Sequence, residues 1–219
     1  PVNATNYIPF LILLTCAFSG CATNPITGQE EIIMSPVEDD FKLGHKFAPL
    51  IEEHLDNRIP DEGLQRYLDR IGQRIAGICH HPDWEYHYTA VNHASVNALA
   101  LPGGHIYITR GMLEKMESES QLAAILAHET AHVVARDTAA AMTRQTGMTL
   151  LTMGTLLSGE APREVQQLVL MANQFLSLSY SRQDEREADL AGLDYLVDAG
   201  YDPNGMVETM QILYELQTR

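Results

Sequence analysis

The residues with the clearest chemical potential are His128-Glu129-Thr130-Ala131-His132. Two imidazoles four positions apart lie one turn apart on the same face of a helix, so both can place a nitrogen on one Zn²⁺. Glu129 sits about 100° round such a helix from His128. It can reach a water on that ion without being a ligand, which suits a general base. With 9 His in 219 residues, composition alone produces such a match roughly a few hundredths of a time per chain. A catalytic zinc needs a third protein ligand and an open coordination position. The segment Ser181-Arg182-Gln183-Asp184-Glu185-Arg186-Glu187-Ala188-Asp189 supplies carboxylates. Glu185 and Asp189, four apart, face the same way on a helix. That permits Glu185 to bind the metal and Asp189 to accept the second N–H of a ligand histidine, fixing its tautomer. Glu187 points about 200° away from Glu185 and reads as solvated or paired with an arginine. Alone this stretch would read as a salt-bridged surface helix; beside the histidine pair it reads as the third corner of a site for one zinc per chain.

These groups need rigid helices. Ser118-Glu119-Ser120-Gln121 has the form of a capping box ahead of Leu122 to Arg136, a run without Gly or Pro. Ser181 caps the helix carrying Glu185, which should end near Gly200, a residue suited to a left-handed cap. Asp202-Pro203 starts a last helix. Upstream, Ser35-Pro36-Val37-Glu38 offers a second capping box and a helix from about Pro36 to His54. Glu62 to Cys79 carries Leu64, Leu68, Ile71, Ile75 and Ile78 on one helical face. Between the two halves, Glu85 to Val91 and His105 to Thr109 are rich in β-formers, Ser95 to Leu101 fits a third short strand, and Pro102-Gly103-Gly104 is a turn. Thr138 to Leu157 reads as a helix or helical lid partly covering the site, and Ala161 to Tyr180 as another helix. The expected fold class is therefore α+β, mainly α, with a small three-stranded sheet beside the histidine-bearing helix. An extended peptide commonly adds as a strand to a sheet edge. Asn97, Ala98, Leu99, Ala100 and Leu101 form the expected edge, with Arg182 a candidate for a substrate carbonyl or for an ion pair. His80, His81, His87, His93 and His105 read as surface or structural groups, and Cys79 as a packed core residue.

The chain has 14 Lys+Arg against 29 Asp+Glu, a formal net charge of -15. Nothing in it builds the basic patch that nucleic-acid binding requires. The first charged residue is Glu30. Ile8 to Phe18 is an apolar run of eleven, short of the roughly 20 residues that span a bilayer and suited to the core of a signal peptide. Phe18-Ser19-Gly20-Cys21 resembles a bacterial lipoprotein cleavage box. The expected organisation is a signal peptide with an incomplete start at 1–20, a lipidated tether at 21–34 beginning at Cys21, and a metallopeptidase domain at 35–219. Such a protein is held at a membrane surface, not through it.

Four stretches together resemble the HtpX/BepA-like zinc metalloproteases, the family that includes the CAAX prenyl endopeptidase: residues 97–104, 106–111, 128–136 and 180–189. The resemblance implies a compact, minigluzincin-like zincin domain. It implies that His128, His132 and Glu185 bind zinc, that Glu129 is the base, and that Asp189 orients a ligand from behind. The transmembrane helices of the family's integral-membrane members do not recur here, which argues against prenylated substrates. The opening Cys-Ala-Thr-Asn-Pro-Ile-Thr-Gly resembles periplasmic lipoprotein members. This implies an endopeptidase on the periplasmic side of a bacterial envelope, at the outer more than the inner membrane, acting on unfolded or extended polypeptides such as misfolded or unassembled envelope proteins. The alternative is a chaperone-like assembly factor that binds chains in the same groove and cuts little.

Overall fold

A computed structural model describes residues 21–153 and 179–217. The expected signal peptide at 1–20 and most of the helix expected at 161–180 lie outside these residues. The described chain is mainly helical with a small sheet, the expected α+β class. The helices are α1 (Val37–His54), α2 (Glu62–Ala76), α3 (Arg110–Leu113), α4 (Glu119–Ala135), α5 (Asp137–Met153), α6 (Arg182–Asp198) and α7 (Asn204–Gln217). The strands are β1 (Cys21–Thr23), β2 (Glu30–Ile32), β3 (His87–Val91), β4 (Ala98–Ala100) and β5 (His105–Thr109).

The periodic run in α2 buries Leu68, Ile71 and Ile75. The helix ends at Ala76, three residues before the expected end, and the tight turn from Ile78 N–H to Ile75 carbonyl leaves Ile78 exposed. Asp61 caps the start by accepting from the N–H groups of Gly63 and Leu64. β3, β5 and β4 form the expected three-stranded sheet in that order, β3 parallel and β4 antiparallel to β5. The central strand is thus the last in sequence, and β4 lies at an edge. The turn into β5 requires Gly104, whose φ is +89 and where a Cβ would collide with the Glu85 carbonyl.

α4 is apolar on nearly every side and buried accordingly. It runs through the core between the sheet and the pair α6 and α7. The closest approach to α6 is at Gly192, where a Cβ would sit 3.0 Å from both N and Cα of His128. Only half of the expected capping box forms on α4. Ser118 Oγ accepts from the Gln121 N–H, but the Gln121 side chain turns to the Glu117 N–H and to Glu208. α4 ends at Arg136, in the left-handed region at φ 61, and α5 begins at the next residue. Arg136 donates to Asp40 Oδ2 at 2.6 Å and to the Ser35 carbonyl at 2.7 Å. This corrects the expectation for α1. Its N-cap is Pro36, with no side-chain cap, and Ser35 Oγ bonds Asp40 instead. The buried arginine organises this corner in place of a capping box.

α6 meets expectation at both ends. Ser181 and Asp184 form a reciprocal capping box. The helix closes with Tyr201 N–H bonding the Leu196 carbonyl and Gly200 N–H the Val197 carbonyl, Gly200 standing at φ +79. The segment expected as a tether is partly folded. β1 and β2 pair as an antiparallel hairpin, closed by Asn24, whose side chain accepts from the N–H groups of Ile26 and Thr27. Ile33 packs on Ala139 and Ala140 of α5. Among the described residues no helix is long and apolar enough to cross a membrane.

Candidate metal centre

α4 and α6 bring the three expected ligands together. His128 Nε2 and His132 Nε2 lie 3.1 Å apart, and Glu185 Oε2 is 3.6 Å from His128 Nε2. One ligand atom from each of the three falls within 4.8 Å of the others. Zinc–nitrogen bonds of about 2.0–2.1 Å in tetrahedral geometry place ligand nitrogens about 3.3 Å apart, so the imidazole pair already has the spacing of two corners of such a site. The donor set, two imidazoles and a carboxylate, is the set a catalytic zinc takes.

Each histidine has a carboxylate behind its other ring nitrogen. Asp189 Oδ1 stands 3.0 Å from His128 Nδ1, as the spacing on α6 predicts. The two atoms are buried and not yet aligned for a full hydrogen bond. Asp137 Oδ2 is 2.7 Å from His132 Nδ1, and both side chains are buried. Helix-face reasoning misses Asp137, because it lies beyond the left-handed turn at Arg136 and shares no helix with His132. Tyr180 is a second unforeseen member. Its ring stacks on His132 with centroids 4.1 Å apart, and its hydroxyl bonds that of Thr138. A neighbouring aromatic carries no spacing signal in the sequence.

The electrostatics follow from burial and crowding. Burial raises the Glu129 carboxyl above its ordinary range, and Glu185 adds to this against the two histidines. Burial and the neighbouring His128 hold the His132 imidazole down at about 4. For His128 burial works in the same direction, but Asp189, Glu129 and Glu185 outweigh it and raise the ring. Burial, with Asp184 and Glu187 nearby, pushes Asp137 up to about 8. Four carboxyl groups, Glu129, Asp137, Glu185 and Asp189, surround the two imidazoles, a cluster suited to a divalent cation.

Two clefts flank these groups. One of about 430 Å³ is bounded by His128, Glu129 and Glu185 on its polar side and by Ile125, Met210 and Leu213 on its apolar side. The other, of about 320 Å³, runs along Asn97, Ala98, Leu99 and Ala100 to His132 and Tyr180. Four of the five expected edge residues therefore line the site; the fifth, Leu101, is buried and lines neither cleft. Nor does Arg182 line the site. It is exposed at the first turn of α6 and lines neither cleft.

Residues 62–217 match the model of peptidase family M48. The chain is 29% identical over 176 residues to the beta-barrel assembly-enhancing protease of Escherichia coli (strain K12), covering 77% of this chain and 34% of that protein. It is 32% identical over 183 residues to the mitochondrial metalloendopeptidase OMA1 of Saccharomyces cerevisiae, covering 84% of this chain and 48% of that protein. The same-named protein of Arabidopsis thaliana is 32% identical over 148 residues, covering 68% of this chain and 30% of its own. The chain thus spans about a third to a half of the length of these relatives. With a family match over most of its length and its helices joined around a histidine–glutamate cluster, this chain belongs to peptidase family M48, a family of metallopeptidases.

Proposed function

We propose that this chain is a zinc-dependent endopeptidase of the bacterial envelope, holding one catalytic Zn²⁺ on His128, His132 and Glu185. The observation that carries this reading is the convergence of those three ligand atoms beside a buried, uncoordinated Glu129 at the meeting of two clefts. When bound, the zinc supplies a Lewis acid for the scissile carbonyl and makes its water acidic enough to react near neutral pH. Glu129 accepts the proton of the attacking water and returns it to the departing amide nitrogen. Its raised pKa suits both halves of that transfer. Asp189 and Asp137 hold the two imidazoles with Nδ1 turned toward a carboxylate, leaving Nε2 for the metal.

The substrate is an extended polypeptide added along β4, whose outer side faces the second cleft. Main-chain hydrogen bonds supply affinity with little dependence on sequence. The apolar wall of the first cleft takes a hydrophobic side chain next to the scissile bond. A lipid anchor at Cys21 and misfolded or unassembled envelope proteins as natural substrates complete the proposal. The lipoprotein-like start of the sequence and the name of the Escherichia coli relative support both.

Glu129→Gln tests the mechanism. It should keep zinc but lower casein cleavage by about 10²–10⁴-fold, the usual contribution of a general base. Normal cleavage by that variant would rule out the assigned role. Full restoration of envelope integrity by it in cells would instead favour a chaperone-like factor.

A further inference from the structure

A second group of metal-binding side chains lies outside the catalytic cluster. His45 on α1, His87 at the start of β3 and His105 at the start of β5 each offer a ring nitrogen within 4.8 Å of the others. The fold brings them together by two routes. Parallel pairing sets His87 directly opposite His105, and their rings stack with centroids 4.6 Å apart. Gly44 lets α1 approach the turn before β5, since a Cβ there would overlap the Pro102 carbonyl and press on the His105 ring. The next residue, His45, then meets His105 edge to face, with centroids 5.1 Å apart.

The atomic spacing is that of a coordination shell. His45 Nδ1 and His105 Nε2 lie 3.3 Å apart, matching the separation of about 3.3 Å between nitrogens that share a tetrahedral zinc. Glu85 Oε2 stands 3.8 Å from the other nitrogen of His45 and 4.0 Å from His87 Nε2. A carboxylate behind a ligand imidazole is the usual outer support of a zinc-bound histidine. A single proton shared between His45 and His105 would also explain their distance, but it would leave the convergence of a third ring nitrogen, from His87, without a role. Burial, followed by His87 and His45, lowers the His105 imidazole to about 4, so its lone pair is free at neutral pH.

We propose that His45, His87 and His105 form a second zinc site, with Glu85 as its outer support, that clamps α1 to the sheet. Imidazole donors suit zinc and its neighbours in the transition series. None of the three histidines lines either catalytic cleft. The ion would therefore act as a brace at the turn feeding β5, not as a participant in peptide cleavage.

The test is metal counting on the full chain, stripped with a chelator and equilibrated with micromolar Zn²⁺. The wild type should hold two zinc ions. His87→Asn should hold one and keep casein cleavage, because the side chain is half exposed and remote from the clefts. His132→Asn should lose the other ion and retain this one. A single ion in the wild type, lost in His132→Asn, would overturn the second site while leaving the catalytic reading intact. Two ions in His87→Asn would also overturn it. Mapping on the unaltered chain removes any doubt about folding: zinc should protect His45 and His87 from diethyl pyrocarbonate at least several-fold. Unchanged modification with zinc bound would refute the proposal.

Discussion

At the scale of single residues, the candidate metal centre is defined as much by what stands behind the proposed ligands as by those ligands. Asp137 and Asp189 each face the Nδ1 of one histidine. Removing such an outer carboxylate typically costs 10–100-fold in metal affinity. Asp137→Asn should therefore weaken zinc by about that factor, measured by competition with a chromophoric chelator. Protonation makes a second prediction. Metal must displace protons from its ligands. His132, held at about 4, is a neutral imidazole at neutral pH, whereas Asp189, Glu129 and Glu185 outweigh burial to raise His128, making it the ligand for which protons compete first as pH falls. Because His128 is raised, zinc affinity should begin to fall at a pH above the ordinary histidine range and keep falling as pH drops, with proton release on binding. Calorimetry in buffers of different ionisation enthalpy reads this directly. The gathering of His128, His132, Glu129 and Glu185 was legible in the sequence, because one helix turn converts spacing into direction. Asp137 and Tyr180 were not, because the chain reaches them through a reversal that no periodicity announces.

At the scale of elements, the helix ends decide where the site residues stand. Glu185 lies in the first turn of α6, immediately after the capping box that Ser181 and Asp184 make. Ser181→Ala should cost about 1 kcal/mol, or about 2–4 °C in Tm for a chain of this size. Because fraying would reach Glu185, zinc affinity should fall as well, whereas a cap lost on a remote helix would leave it unchanged. In α6 the capping box forms although Asp184 Oδ2 also accepts from Arg144. At Ser35 and Gln121 a stronger tertiary partner intervened: the buried Arg136–Asp40 pair in one case and Glu208 in the other. The strands were visible from their β-formers, but the order β3-β5-β4 depends on long-range pairing that local composition does not encode.

At the scale of the whole molecule, the first and second halves are joined beneath the metal centre. Asp40 and Arg136 are 96 positions apart, 2.6 Å apart in space, and both buried. Taking one partner from a buried ion pair leaves an uncompensated charge. Asp40→Ala should therefore destabilise the fold by about 3–5 kcal/mol, seen as a large drop in the thermal midpoint at neutral pH. The hairpin at residues 21–32 belongs to the same scale. Its turn signals, Asn24-Pro25 and Gly28, are present in the sequence, and contacts with α5 seat the segment on the domain. If Cys21 carries the proposed acyl chains, β1 begins at the anchor itself and the domain sits close against the membrane with no slack between.

Gly192 carries a further consequence. It is the point where α6 rests on the backbone of His128, so it acts as the gauge between the two helices that carry the proposed ligands. A methyl group there would lift α6 by a few tenths of an ångström and widen the gap from Glu185 to both histidines. A Gly192→Ala chain should lose zinc preference in favour of ions with longer bonds, such as cadmium or manganese. Paired metal competition on wild type and variant would show whether ion choice is set by an atom that never touches the ion.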